Sequence, residues 1–182
     1  RKALGVRTVF NILGPLTNPA EPPFMVVGAF SPQVAELMAE ALSGLPVNRA
    51  FVVHGAPGWD EATPCGPITL FDVRPGSVSE QVRDPADYGI ERCEPGDLAG
   101  GDAAENAAAL RDARTGALGP HRDALLLGAG LALEVAGEVA TLADGIRSAG
   151  SAIDSGAAAK LLDGLARIGT ADRVPGAPLS DL

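Results

Sequence analysis

The residues best suited to chemistry are two consecutive carboxylates, Asp60 and Glu61, at the end of Val53-His54-Gly55-Ala56-Pro57-Gly58-Trp59-Asp60-Glu61. Adjacent acids in a Gly/Pro-rich loop offer hard oxygen donors from neighbouring backbone positions. Magnesium takes one or two such carboxylates and completes its shell with water and phosphate oxygens. A solvated acidic loop has the same composition, so these residues alone leave both readings open. A second constellation lies near the start, where Val9-Phe10-Asn11-Ile12-Leu13 runs into Gly14-Pro15-Leu16 and Asn18-Pro19. Glycine beside proline makes a corner with one amide hydrogen missing, and the residue before each proline is biased away from helix. So stiff a corner can hold an arginine and a main-chain wall in fixed relation, as a small anionic aromatic acid would need. A plain turn between a helix and a strand is the alternative.

The elements that must position these groups follow from pattern. Residues 1–20 read as a short helical stretch ending at the Gly14-Pro15 corner. Phe24–Phe30 is an apolar run with β-branched residues, which predicts a buried strand. Ser31 and Pro32 supply a cap and a first-turn proline, and Val34, Leu37, Met38, Ala41 and Leu42 recur at helical spacing up to Gly44. Arg49–Val53 predicts a second buried strand whose C-terminal end opens into the acidic loop. Ligands of open α/β sheets bind beyond such strand ends. Ile68–Val73 and Ser77–Val82, joined by Arg74-Pro75-Gly76, predict a hairpin and therefore a mixed sheet. Asp84–Gly89 and Pro95–Leu98 read as short helical turns. Gly100-Gly101-Asp102 reads as a turn and cap for an amphipathic helix over Ala103–Thr115, with Glu105 and Asn106 as helix-terminus and packing residues. Two longer helices follow: His121–Ala136, stopped by Gly137, and Leu142 to about Ile168. The expectation is one α/β domain over residues 1–182, with a mixed, mainly parallel sheet flanked by helices. Its strands are too few for a self-sufficient sheet.

Composition narrows the function classes. A chain of 182 residues, 46% hydrophobic, can bury a substantial core, built from Ala, Leu, Val and Ile because aromatics are only 4%. No run of about 18 apolar residues predicts a membrane helix. A net charge of −9 argues against nucleic-acid binding, since no basic stripe is present to displace counterions. Cys65 and Cys93 show neither metal-ligand spacing nor a disulfide framework, so reduced thiols and a cytoplasmic location are expected. No Ser-His-Asp set, zinc spacing, Walker A loop or Rossmann fingerprint occurs.

The motifs together carry a family resemblance. RKxLGxRTxFNxLGPLxNP, followed at this distance by VxHGxxGxDE, resembles anthranilate phosphoribosyltransferase, an enzyme of tryptophan biosynthesis. The likeness continues through Gly100-Gly101-Asp102, Glu105-Asn106-Ala107 and the apolar helix around Leu125–Leu133, and so covers nearly the whole chain. It implies a nucleoside phosphorylase/phosphoribosyltransferase-like C-terminal domain. It also implies transfer of a phosphoribosyl group from phosphoribosyl pyrophosphate to the amine of anthranilate, with release of pyrophosphate. By the same resemblance, Asp60 and Glu61 coordinate Mg2+ on that pyrophosphate. Arg1 contacts the anthranilate carboxylate, for which a guanidinium fork is well shaped, and Gly14 and Pro15 form the wall beside its ring. The magnesium would reverse the local sign of a strongly acidic protein that must bind two anions.

In the resembled family a GTGGD-type phosphoribosyl pyrophosphate loop and a KHGNR-type basic segment precede the arginine matching Arg1, and neither occurs here. The expectation is therefore the C-terminal portion of a larger enzyme, incomplete and inactive alone. Family members dimerise through N-terminal helices that this chain lacks, so its oligomeric state is left open. Two alternatives stand beside this reading: a pyrimidine nucleoside phosphorylase-like enzyme of the same fold, or a non-catalytic remnant or complementing subunit.

Other residues receive structural expectations. His54 ends a buried strand, and His121 lies beside a helix start. Trp59 reads as packing that holds the acidic loop, and Arg7 and Asn11 as props of the proline corner. Gly128 and Gly130 depart from the family's LNAA-type run, at a cost of about 1 kcal/mol each relative to alanine. That departure puts the packing of their helix in question.

Overall fold

The acidic loop hangs from a four-stranded sheet whose order is β1-β2-β3-β4. The structure is a computed structural model that describes Gly14 and residues 16–171. The strands are β1 (Phe24–Gly28), β2 (Arg49–Gly55), β3 (Ile68–Arg74) and β4 (Ser77–Arg83). The helices are α1 (Pro32–Ser43), α2 (Ala103–Arg114), α3 (Pro120–Val135), α4 (Leu142–Asp154) and α5 (Ala157–Ala171). Two short 3-10 turns, Pro85–Tyr88 and Pro95–Leu98, lie between β4 and α2.

The mixed α/β class holds, but the balance of strand directions differs from expectation. Only β1 and β2 run parallel, in register from Phe24↔Arg49 to Gly28↔Val53. β2 with β3 and β3 with β4 are antiparallel. The cause is local. A crossover through α1 keeps β1 and β2 parallel, whereas the 56–67 loop and the Pro75-Gly76 turn each reverse the chain.

Alternation along the central strands builds two cores. Ala50 and Val52 of β2, with Phe71 and Val73 of β3, pack beneath Ala35, Met38 and Leu42 of α1. Phe51 and Val53, with Ile68 and Leu70, face the other way onto Leu127, Leu131 and Val135 of α3 and Leu142 of α4. Both faces of β2 are thus covered. A buried ion network pins α3 to this sheet. Glu134, only 5% exposed, accepts from Arg83 at 2.6 and 2.9 Å. Arg49 binds Asp72 bidentately at 2.9 and 2.7 Å and donates to the Glu134 carbonyl at 3.0 Å. The two guanidinium groups lie over the Phe51 ring, 4.6 and 5.4 Å from its centroid.

Local chemistry sets the helix ends. Ser31 caps α1 by accepting from the Val34 amide at 3.3 Å, with Pro32 in the first turn. Asp102 caps α2, and the Glu105 carboxylate returns to the Asp102 amide at 2.8 Å. This is the turn-and-cap role expected for Gly100-Gly101-Asp102.

The single helix expected from Leu142 to about Ile168 is two helices. Gly156 adopts φ +74°, donates to the Ile153 carbonyl at 2.9 Å and ends α4, and its own carbonyl then accepts from Lys160 in α5. Apolar periodicity persists across the break, which is why sequence pattern merges the two.

Gly130 has a packing reason that offsets its low helix propensity. A Cβ there would stand 2.9 Å from a Leu142 methyl and 3.1 Å from the Ile146 amide, and one on Gly145 would stand 2.6 Å from the Gly130 carbonyl. The two glycines let α3 and α4 approach closely. Gly128 has no such neighbour.

Candidate functional site

The site begins where the parallel pair ends. Beyond β2 the chain turns through Ala56, Pro57 and Gly58 and comes straight back. Gly55 and Trp59 exchange both main-chain hydrogen bonds, each 2.9 Å. The returning backbone then crosses the tips of both strands. A Cβ on Gly28 would lie 1.8 Å from the Asp60 carbonyl oxygen, and one on Gly55 would lie 2.0 Å from that of Glu61. Real Cβ atoms do not approach so closely, so both positions require glycine. At the far side of the loop the buried Thr63 hydroxyl donates to the Ala56 carbonyl at 2.9 Å. Consecutive carboxylates are therefore fixed through their backbones while their side chains stay exposed.

Both acids line an open cleft of about 710 Å3 between the strand ends, the segment at Leu98–Gly100, α2 and α3. Asp60 is also a wall of a neighbouring groove of about 540 Å3, lined by Gly14, Thr17, Asn18, Pro19 and residues Met25 to Gly28. The acidic loop and the N-terminal corner are thereby brought together at one residue. Arg1 and Pro15 lie outside the described residues. Among the described residues that line the two cavities there is no lysine or arginine.

Asp60 and Glu61 fit a magnesium ion by the chemistry of their donors, which are two hard oxygens at the mouth of a cleft. No group of three or more His, Cys, Asp or Glu side chains converges among the described residues.

His54 serves the scaffold, as expected. Its Nδ1 donates to the Ala29 carbonyl at 2.8 Å, tying β2 to the end of β1. Trp59 does hold the loop through its backbone, but its half-buried side chain also lines the cleft.

Several cleft residues lie beyond what sequence pattern predicts. Asn106, Ala109, Leu110 and Ala113 present one face of α2 to the cleft, and His121, Ala124, Gly128 and Leu131 present one face of α3. The expected amphipathic face of α2 exists, but among the residues whose burial is described only Ala113 on it is buried. Repeats at three- and four-residue spacing are the available signal; a cleft wall and a closed core share that period. Asn106 has two roles, since its Oδ1 accepts from the Gly101 amide at 2.8 Å while it lines the cleft.

A sequence model of the family described as "Glycosyl transferase family, a/b domain" matches residues 1–159. The chain belongs to this family. Within the glycosyl transferase family it is 52% identical over 162 residues to the anthranilate phosphoribosyltransferase of Desulforudis audaxviator, an alignment covering 89% of the chain and 47% of that relative. Its fold matches the crystal structure of anthranilate phosphoribosyltransferase from Thermus thermophilus, with a TM-score of 0.80 at 41% identity over 90% of the chain and 48% of that protein. It also matches the Saccharomyces cerevisiae anthranilate phosphoribosyltransferase in complex with PRPP and Mg, with a TM-score of 0.80 at 30% identity over 90% and 47% of the respective chains. The chain spans about half the length of the curated relatives it matches. No helix among the described residues is long and apolar enough to cross a membrane.

Proposed function

We propose that this chain is the C-terminal α/β part of an anthranilate phosphoribosyltransferase, supplying the acidic metal-binding loop and one wall of the acceptor site. The observation that carries the reading is the Asp60–Glu61 pair, held across two glycine-ended parallel strands at a cleft mouth and adjoining the Gly14 corner. The complex of the yeast relative with PRPP and Mg supports the same substrate and ion for this family member.

In this reading Asp60 and Glu61 hold magnesium. When bound, the ion offsets charge developing on the departing pyrophosphate. Gly28 and Gly55 let the loop backbone lie against the sheet, which fixes the height of the carboxylates. The apolar faces of α2 and α3 exclude water from one side of the cleft. Gly14, Pro15 and Arg1 form the acceptor wall, with the guanidinium meeting the carboxylate of anthranilate. The amine then attacks the anomeric carbon as pyrophosphate leaves, through a transition state with oxocarbenium character. No covalent nucleophile is required, so rate comes from positioning and charge stabilisation.

The remaining half of the enzyme supplies further phosphate-binding groups. The reading carries a cytoplasmic location and a dimeric whole enzyme with it. The test is turnover by the whole protein with anthranilate and phosphoribosyl pyrophosphate, beside thymidine and inorganic phosphate. Activity only with the second pair would move the assignment to a nucleoside phosphorylase. Turnover at whole-enzyme rates by residues 1–182 alone would contradict the claim that this part needs the other half.

A further inference from the structure

Cys65 and Cys93, the only cysteines of the chain, lie 28 residues apart in sequence but have their Sγ atoms 3.6 Å from each other. Cys65 belongs to the loop that bears Asp60 and Glu61. Cys93 lies in the segment between the two 3-10 turns. The two segments pack closely, since a Cβ on Gly66 would come within 3.7 Å of the Arg92 guanidinium, and Arg92 is itself ion-paired with Asp84. Both thiols are free and partly exposed, so a small reagent can reach them. A disulfide needs its sulfurs about 2.05 Å apart, so the pair must close by roughly 1.5 Å, a distance that side-chain rotation and slight loop movement can supply.

We propose that Cys65 and Cys93 form a reversible dithiol modification site, oxidised by low-molecular-weight disulfides to an internal bridge that ties the acidic loop to the 84–95 segment. The chemistry is two successive exchanges. The Cys65 thiolate attacks one sulfur of the oxidant RSSR, forming a mixed disulfide and releasing RS−. The Cys93 thiolate then attacks the Cys65 sulfur and expels the second RS−. Two protein thiols are oxidised, one small disulfide is reduced, and the two protons from the cysteines pass to the two released thiolates.

The order of attack follows from the surroundings. Burial first, then the hydrogen bond and charge of Cys65, push the Cys93 thiol up to about 11, which disfavours Cys93 as the first attacking thiolate. Capping Cys65 removes its hydrogen bond and its charge. The first exchange thereby eases deprotonation of Cys93 for the second, even though the carboxylates of Asp97 and Asp123 still oppose it.

The test treats the full chain with oxidised glutathione and reads intact mass, free thiols, a peptide map and the thermal midpoint. The expected product is a monomer two hydrogens lighter, with no alkylatable thiol, a Cys65–Cys93 linked peptide, and full reversal by dithiothreitol. Cys93→Ser should instead stop at a stable glutathione adduct on Cys65. The bridged chain should melt roughly 5–10 °C higher, because the cross-link restricts the unfolded state while the fold accommodates it. Unreacted thiols, two stable glutathione adducts per chain, dimers linked between chains, or a bridged form that melts lower would each overturn the proposal.

Discussion

The main-chain oxygen of Asp60 occupies the space that a side chain on Gly28 would need, with only 1.8 Å between that oxygen and an ideal Cβ. Alanine at Gly28 must therefore push the acidic loop off the sheet or distort the end of β1. Gly28→Ala is expected to cost about 1–3 kcal/mol, read from urea unfolding of the full chain. In the whole enzyme the same change should weaken magnesium-dependent binding of phosphoribosyl pyrophosphate more than binding of anthranilate. Equal weakening of both would place the loop's effect elsewhere.

The ion network under α3 predicts a larger loss. Glu134 is the carboxylate partner of the largely buried Arg83, so removing it leaves that guanidinium with no counter-charge and only the Gln81 amide oxygen, while Arg49 keeps Asp72. Glu134→Ala should destabilise by about 3–5 kcal/mol. Glu134→Met combined with Arg83→Leu should recover a substantial part of that loss, since an apolar pair carries no charge to desolvate. Denaturant midpoints of the parent, the Glu134→Ala variant and the double variant check it.

The two unusual glycines of the α3–α4 pair should respond in opposite directions. Gly128 has open space where a Cβ would stand, so Gly128→Ala should stabilise by up to about 1 kcal/mol through helix propensity alone. Across the helix pair, Gly145→Ala meets the Gly130 backbone and should destabilise by about 1–3 kcal/mol. Thermal unfolding of both variants distinguishes an open wall from a close contact.

The Cys93 thiol gives a pH prediction. Its value rises from 9.0 in a free thiol to about 11 in the folded chain, mainly through burial and then through Cys65. A raised value means that the folded state favours the protonated form. The associated stability is therefore full below about pH 9 and is lost as pH climbs through about 11. Ultraviolet absorbance of the thiolate should show this titration, and Cys65→Ala should move it downward without abolishing the part due to burial.

Much of the scaffold is legible because it is written in local signals. Ser31-Pro32 and Gly44 bracket α1, Pro75-Gly76 marks the β3–β4 hairpin, and alternation in β2 and β3 separates two buried faces. The acidic pair is legible as a pair. What sequence does not supply is proximity between distant segments. Glu134 meets Arg83 from 51 residues away, and Cys65 meets Cys93 from 28. The cleft wall escapes notice because a helix face lining a cavity has the same apolar spacing as one lining a core. At Ser155-Gly156 a visible helix stop is outweighed by hydrophobic periodicity that continues on both sides. Strand direction is misread for a related reason: crossover connections favour parallel pairs, but the loop after β2 doubles back and presents β3 antiparallel.

The proposed function stands on Asp60 and Glu61 gripping a metal–pyrophosphate group. Isothermal titration of phosphoribosyl pyrophosphate into the whole protein, with and without magnesium, probes that grip when repeated on Asp60→Asn/Glu61→Gln. Binding should depend on magnesium in the parent and weaken at least about tenfold in the variant, a loss of about 1.4 kcal/mol or more, with the thermal midpoint of the unliganded protein unchanged. Equal affinity in both proteins, regardless of magnesium, would refute the grip and the function built on it.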